Sequence, residues 1–207
     1  MMNWNRVRFC LIALVILVAI PKLTAQGNNG CACPAGAHKA AFGVDVCYGG
    51  LKVNVAVTYC TQAYTVPTLM FCGPALTNQY TYIEKICQGT DPLPIGDPTS
   101  LMKAVLCALS PTGGDALGIK ALIPVAPGVY CWTIARPRCL RFFPGQGCYF
   151  ACPETECCVE QFRFSKDATT GAITTTLVAR CTTGDECQEP LCVPTCNWDP
   201  ESCTLCP

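Results

Sequence analysis

The chain has 207 residues, in which 14 Lys+Arg balance 14 Asp+Glu, with a single histidine and 20 cysteines. Charge balance removes the electrostatic case for nucleic acid or an anionic membrane surface. One histidine removes His-rich zinc sites, H-E-x-x-H peptidases and any centre that needs two imidazoles.

Arg6 and Arg8 precede an apolar run from Phe9 to Ile20, which Pro21 breaks and Leu23-Thr24-Ala25 follows. A basic start, a short apolar core and a small residue at the cut define a secretory signal peptide, with cleavage expected after Ala25. The run is too short for a membrane span, which takes about 20 residues. Removing residues 1–25 of 207 leaves 182, with 11 basic residues against 14 acidic ones, a net charge of −3. Cys10 leaves with the leader, so 19 of the 20 cysteines remain. That density in an exported chain reads as a disulfide framework, and the odd count means that at least one thiol stays free, binds something or pairs with another chain. The expected location is secreted or cell surface, or the periplasm in a Gram-negative cell.

From Gly27 to Ala41 the chain is a Gly/Asn/Ala lead-in with Cys31, Cys33 and His38. The stretch Phe42–Cys60 then alternates apolar and polar residues on both sides of Gly49-Gly50. Period-two alternation around a Gly-Gly pair predicts a β-hairpin with a two-residue turn. Its register sets Tyr48 opposite Leu51, Val46 opposite Val53 and Val44 opposite Val55. One face is apolar and asks for a covering layer, since a lone hairpin is marginal in water. On the other face Cys47 lies opposite Lys52 and Cys60 opposite Lys39. That separates the two cysteines by roughly 26 Å along the ladder, against the roughly 7 Å that a cystine allows. Cys47 and Cys60 must therefore reach different segments.

Two short strands are expected over Tyr64–Phe71 and Gln79–Cys87, with Gly73-Pro74 in their connection. The Pro-rich link Asp91–Pro98 hands over to the one clear helix. Asp97 suits its N-cap and Pro98 its first position. Leu101, Ala104, Val105, Ala108 and Leu109 recur at helical spacing up to Ser110-Pro111. A looser loop follows to Pro127, with at most one helical turn near Leu117. Gly128–Arg136 resumes strand character, with Tyr130, Trp132 and Ile134 on one side, and Pro137 confines it to an edge or a strand end. Phe143–Cys157 reads as turn-rich and stapled. A second hairpin spans Cys158–Cys181, with Phe164 opposite Thr175, Phe162 opposite Leu177 and Cys158 opposite Cys181, a register that allows a Cys158–Cys181 cystine, with the neighbouring Cys157 competing for the same partner.

The predicted fold is α+β and mainly β: antiparallel hairpins packed with one short amphipathic helix, disulfide-rich, in a single domain over residues 26–181. An irregular Cys-rich cap over 182–207 completes it. The disulfide candidates singled out are Cys47, Cys60, Cys158, Cys181, Cys187, Cys192, Cys196, Cys203 and Cys206. Cys203-Thr-Leu-Cys206 has the spacing of a redox motif, but Pro207 follows at once and a structural bridge is the better reading. Cys31-Ala-Cys33, Cys157-Cys158 and the tail would make a thiolate metal site only if reduced. Arg136, Arg138 and Arg141 form the main basic cluster, with anion binding set against ordinary pairing with Glu154, Glu156 and Glu160. Trp132, Trp198 and the tyrosines are core residues or an aromatic platform, core being the commoner fate. No residue is marked as catalytic, no metal ligand set or cofactor is expected, and the partners expected are a second copy or another surface protein. The sequence favours an exported non-catalytic structural or binding protein, self-associating through the odd cysteine. Thiolate metal-binding or redox proteins and small hydrolases using Asp/Glu are the competing classes.

Overall fold

The computed structural model describes residues 33, 36–63, 67–70, 73–90, 92, 97–152, 157–182, 187, 193–196, 198, 200 and 203. The leader, Cys31, Cys192, Cys206, Glu154 and Glu156 lie outside the described residues.

The predicted first hairpin is present with the predicted register and is longer than expected. Strands β1 (His38–Tyr48) and β2 (Leu51–Ala63) pair Tyr48 with Leu51, Val46 with Val53 and Cys47 with Lys52. Gly49 and Gly50 have φ of 60° and 80°. A two-residue turn with both central residues left-handed matches the twist of the strands, and only glycine enters that region without strain.

The chain continues through β3 (Pro67–Met70) and β4 (Gly73–Leu76), which pair only with each other, to β5 (Gln79–Gln88). Gly73-Pro74 thus begins a strand rather than lying in a connection. Helix α1 (Pro98–Leu109) follows, and a 3-10 turn over Ile119–Leu122 comes just after Leu117, near which at most one helical turn was expected. Next come β6 (Tyr130–Pro137), β7 (Cys139–Phe143) and β8 (Cys148–Ala151). The stretch read as turn-rich therefore holds the second half of a hairpin, β7 against β8 around Pro144–Gly147. The last strands are β9 (Cys157–Lys166), β10 (Ile173–Thr182) and the short β11 (Val193–Pro194).

Nine of these strands form one sheet that forks at β5. One edge of β5 carries β2 and, beyond it, β1. The other edge is shared: Gln79–Tyr82 pair in parallel with β6, and Lys85–Cys87 pair antiparallel with β8. One arm continues β6–β9–β10 and the other β8–β7–β11. Pro137 sits at the end of β6, where its missing N–H costs no ladder bond.

The second hairpin keeps the predicted register from Ile173 to Leu177, then slips. A bulge at Val178 sets Ala179 opposite Gln161, so Cys181 faces Val159 and Thr182 faces Cys158. The expected Cys158–Cys181 pairing is thereby undone, and Cys158 bonds Cys196 instead. An extra residue on one strand moves every later pair by one position.

Helix α1 covers the apolar face. Leu101, Met102, Val105, Leu106 and Leu109 pack with Val46, Val53, Val55 and Val57 of the first hairpin, and with Trp132, Ile134, Phe162 and Phe164. Fully burying side chains of this size stabilises by about 1.5–3 kcal/mol each. The helix starts where Asp97 accepts from the Thr99 and Ser100 amides at 2.9 and 3.2 Å, and from the Ser100 hydroxyl at 2.7 Å. It stops where Gly113 passes so close that a Cβ there would lie 2.0 Å from the Cys107 carbonyl oxygen. Burial alone would raise the Asp97 carboxyl, but the Ser100 hydroxyl and the two amides outweigh it and hold it below 3.8. Asp97→Ala should lose about 1 kcal/mol at neutral pH. Because the folded value is depressed, that contribution is present above 3.8 and lost as pH falls through the folded value. Urea midpoints of the wild type and the variant should converge in acid.

A smaller cluster lies on the other face of the sheet. Cys60, Tyr80, Tyr82, Ala135, Cys157 and Val159 are buried there, with Cys33 and Ala37 packed over them. The far end of the first hairpin is thus covered on both sides.

Candidate functional site: a cystine frame, a buried ion triad and an open sheet edge

Among the described residues, five cystines tie distant segments together. Cys60 is bonded to Cys33, Cys158 to Cys196, Cys139 to Cys187, Cys107 to Cys203 and Cys87 to Cys148. Cys47, Cys152 and Cys157 are also disulfide-bonded. Cys181 lies in β10. Cys87 and Cys148 are directly opposed in the ladder, so this bridge closes the fork where β8 meets β5. Such a frame forms and persists in an oxidising, extracellular-type compartment. Among the described residues no helix is long and apolar enough to cross a membrane.

Cys131 is the free thiol among the described cysteines, and it is buried. It lies on the second face of β6, opposite Arg163, with its backbone amide donating to Asn78 Oδ1 at 2.7 Å.

The arginines singled out from the sequence have distinct fates. Arg136 is wholly buried and bonds Glu160 at 2.8 Å, while its Nε donates to the Thr195 carbonyl at 3.1 Å. Arg180 bonds the second oxygen of Glu160 at 2.8 Å and donates to the Trp198 carbonyl at 2.7 Å. Glu160 is directly opposite Arg180 and diagonal to Arg136, so three strands bring the charges together. The guanidinium of Arg141 lies 4.6 Å from the Phe143 ring centroid. Phe143 meets Phe150 edge-on at 5.3 Å, and Lys85 lies 5.4 Å from the Phe150 centroid. This strip of cations and rings crosses β5, β8 and β7, and its one local mark in the sequence is the P-G-Q-G turn between C-L-R-F-F and C-Y-F-A. Arg138 offers its carbonyl to Thr195, whose amide donates to it at 2.7 Å.

His38 is exposed at the start of β1. Trp132 and Trp198 are core residues in edge-on contact at 6.2 Å, and Phe162 packs on Trp198 at 5.2 Å. Trp132 donates to Thr81 Oγ1 at 3.0 Å.

One group of metal-type donors converges among the described residues: Cys33, Cys60 and Glu84, with ligand atoms within 4.8 Å of one another. The two sulfurs are bonded to each other, and Glu84 pairs with Lys39 at 2.5 Å. A cystine sulfur is a poor ligand, because the thiolate is the form that binds metal.

Burial pushes Tyr80 and Tyr130 up to about 12. Tyr82 is raised further by burial, with Tyr80 and Glu84 adding to it. Each raised value favours the neutral phenol in the folded chain, so this stability is intact below 10.0 and is lost as pH rises toward about 12. A titration of phenolate absorbance should show these rings ionising together with unfolding, well above the ordinary tyrosine range.

No protein-family model, no curated protein and no solved structure matches the chain.

Proposed function

We propose that the chain is an exported, cystine-hardened structural or binding protein without a catalytic centre. What supports this most is the fate of its reactive groups. The one convergent thiol–carboxylate group among the described residues is closed as a cystine and an ion pair. The buried charges of Arg136 and Glu160 answer each other, with Arg180 bound to the same carboxylate, and so serve the packing of the C-terminal segment. Covalent frames of this density suit a protein that must keep its shape outside the cell. The free thiol among the described cysteines, Cys131, is buried, which argues against a covalent link between copies through this residue.

The test is mass spectrometry of the native protein with and without thiol alkylation. The Cys131 peptide should label only after unfolding, and the disulfide-bonded cysteines named above only after reduction. Several reactive thiols, or bound metal, in the native form would move the protein to the thiolate metal or redox class.

A further inference from the structure

We infer that β10 is a self-complementary edge through which two copies of this chain pair antiparallel, joining their sheets across a two-fold axis at Thr175. The inference deepens the structural reading above by naming its partner, a second copy. Strand β10 ends one arm of the sheet, and no described strand pairs with its outer side. It is long, at 10 residues, and carries no charge from Gly171 to Ala179. Such edges are templates for another strand unless a charge, a proline or a bulge blocks them. The bulge at Val178 limits the regular part to Ile173–Leu177.

That five-residue segment is its own complement. With Thr175 on the axis, Ile173 faces Leu177 of the second copy, and Thr174 faces Thr176. Ile173, Thr175 and Leu177 share the face of the apolar core, since they lie opposite Lys166, Phe164 and Phe162. Leu177 is 42% exposed there, at the open rim of the core. Thr174 and Thr176 are exposed on the other face. The pairing therefore matches apolar with apolar and threonine with threonine, both favourable across antiparallel strands, and brings no like charges together. Thr175 Oγ1 is buried and finds no hydrogen-bond partner among the described residues. A turn about χ1 would let the two Thr175 hydroxyls meet at the axis. The other long edge, β1, carries Lys39 and Asp45, each held in an ion pair, and offers no such match. Strand addition draws its affinity from main-chain hydrogen bonds, and a contact this short belongs with small reversible interfaces below about 1,200 Å².

The test uses the full secreted chain with its cystines intact, by sedimentation velocity from about 1 μM to about 1 mM. A reversible monomer–dimer equilibrium is expected, and amide exchange in 173–177 should slow with concentration while β1 is unchanged. Thr174→Lys with Thr176→Lys sets like charges opposite each other across the axis and should weaken the dimer at least about tenfold. Thr174→Lys with Thr176→Glu sets opposite charges there and should keep it. Both positions are exposed, and because Thr176 lies opposite Arg163 on β9, denaturant midpoints of both variants separate a loss within the hairpin from a loss of the dimer. A single monomeric species throughout, or a dimer indifferent to both variants with no protection at 173–177, would overturn the inference. Neither result alters the count of free thiols, which alone decides the structural reading.

Discussion

Glu160→Gln should destabilise the protein by about 3–5 kcal/mol, the usual cost of removing one partner from a buried ion pair. Arg136 is 0% exposed and Glu160 1%, so neutralising the carboxylate removes the charge that faces a guanidinium buried inside the protein. Arg180 is 33% exposed and can turn to water, so Arg180→Met should cost much less. The double change Arg136→Met with Glu160→Gln should recover much of the loss, because no buried charge is then stranded. Denaturant midpoints of the four proteins decide the matter. Equal losses for Glu160→Gln and Arg180→Met would show that the triad behaves as a surface pair.

The second large effect concerns the bridge between α1 and the tail. Cys107 and Cys203 are separated by 96 residues in sequence, and Cys107 belongs to the buried face of the helix. Chain-entropy reasoning gives roughly 4.7 kcal/mol for a cystine closing a loop of about 100 residues. Replacing both cysteines by alanine should therefore lower stability by about 4–5 kcal/mol. Trp198, 1% exposed beside Trp132 and Phe162, reports the same event by fluorescence. Its emission should shift red at a lower denaturant concentration than in the parent. A loss below about 1 kcal/mol would mean that the Thr195 and Trp198 contacts hold the tail without the cystine.

The parts of the fold that could be read in advance are those set by neighbours in sequence. The β1–β2 register follows from Gly49-Gly50 and the alternating residues on either side of it, and the ends of α1 follow from Asp97-Pro98 and Ser110-Pro111. The second hairpin was legible as far as Leu177. Val178 is as good a strand residue as its neighbours, so nothing local marks it as the bulge that redirects Cys181. The β7–β8 hairpin was missed because strands of 5 and 4 residues are too short for alternation to show through turn-rich flanks. The fork at β5 arises from contacts with segments far along the chain, which periodicity does not encode. For Arg136 the pairing with Glu160 was legible from the nearby acidic run, but not its complete burial or the Thr195 carbonyl, which comes from a segment 59 residues away.

The fork has a consequence for how the chain is made. Hairpins β1–β2, β7–β8 and β9–β10 are local and can form early, within microseconds. Strand β5 must collect three partners, one of them 61 residues downstream at the Cys87–Cys148 pair. Its contacts are of high contact order, so it is the slow step, and thiols on early hairpins wait beside wrong partners meanwhile. Oxidative refolding should then be limited by cystine reshuffling until β5 is seated, and should speed up when a disulfide isomerase is added.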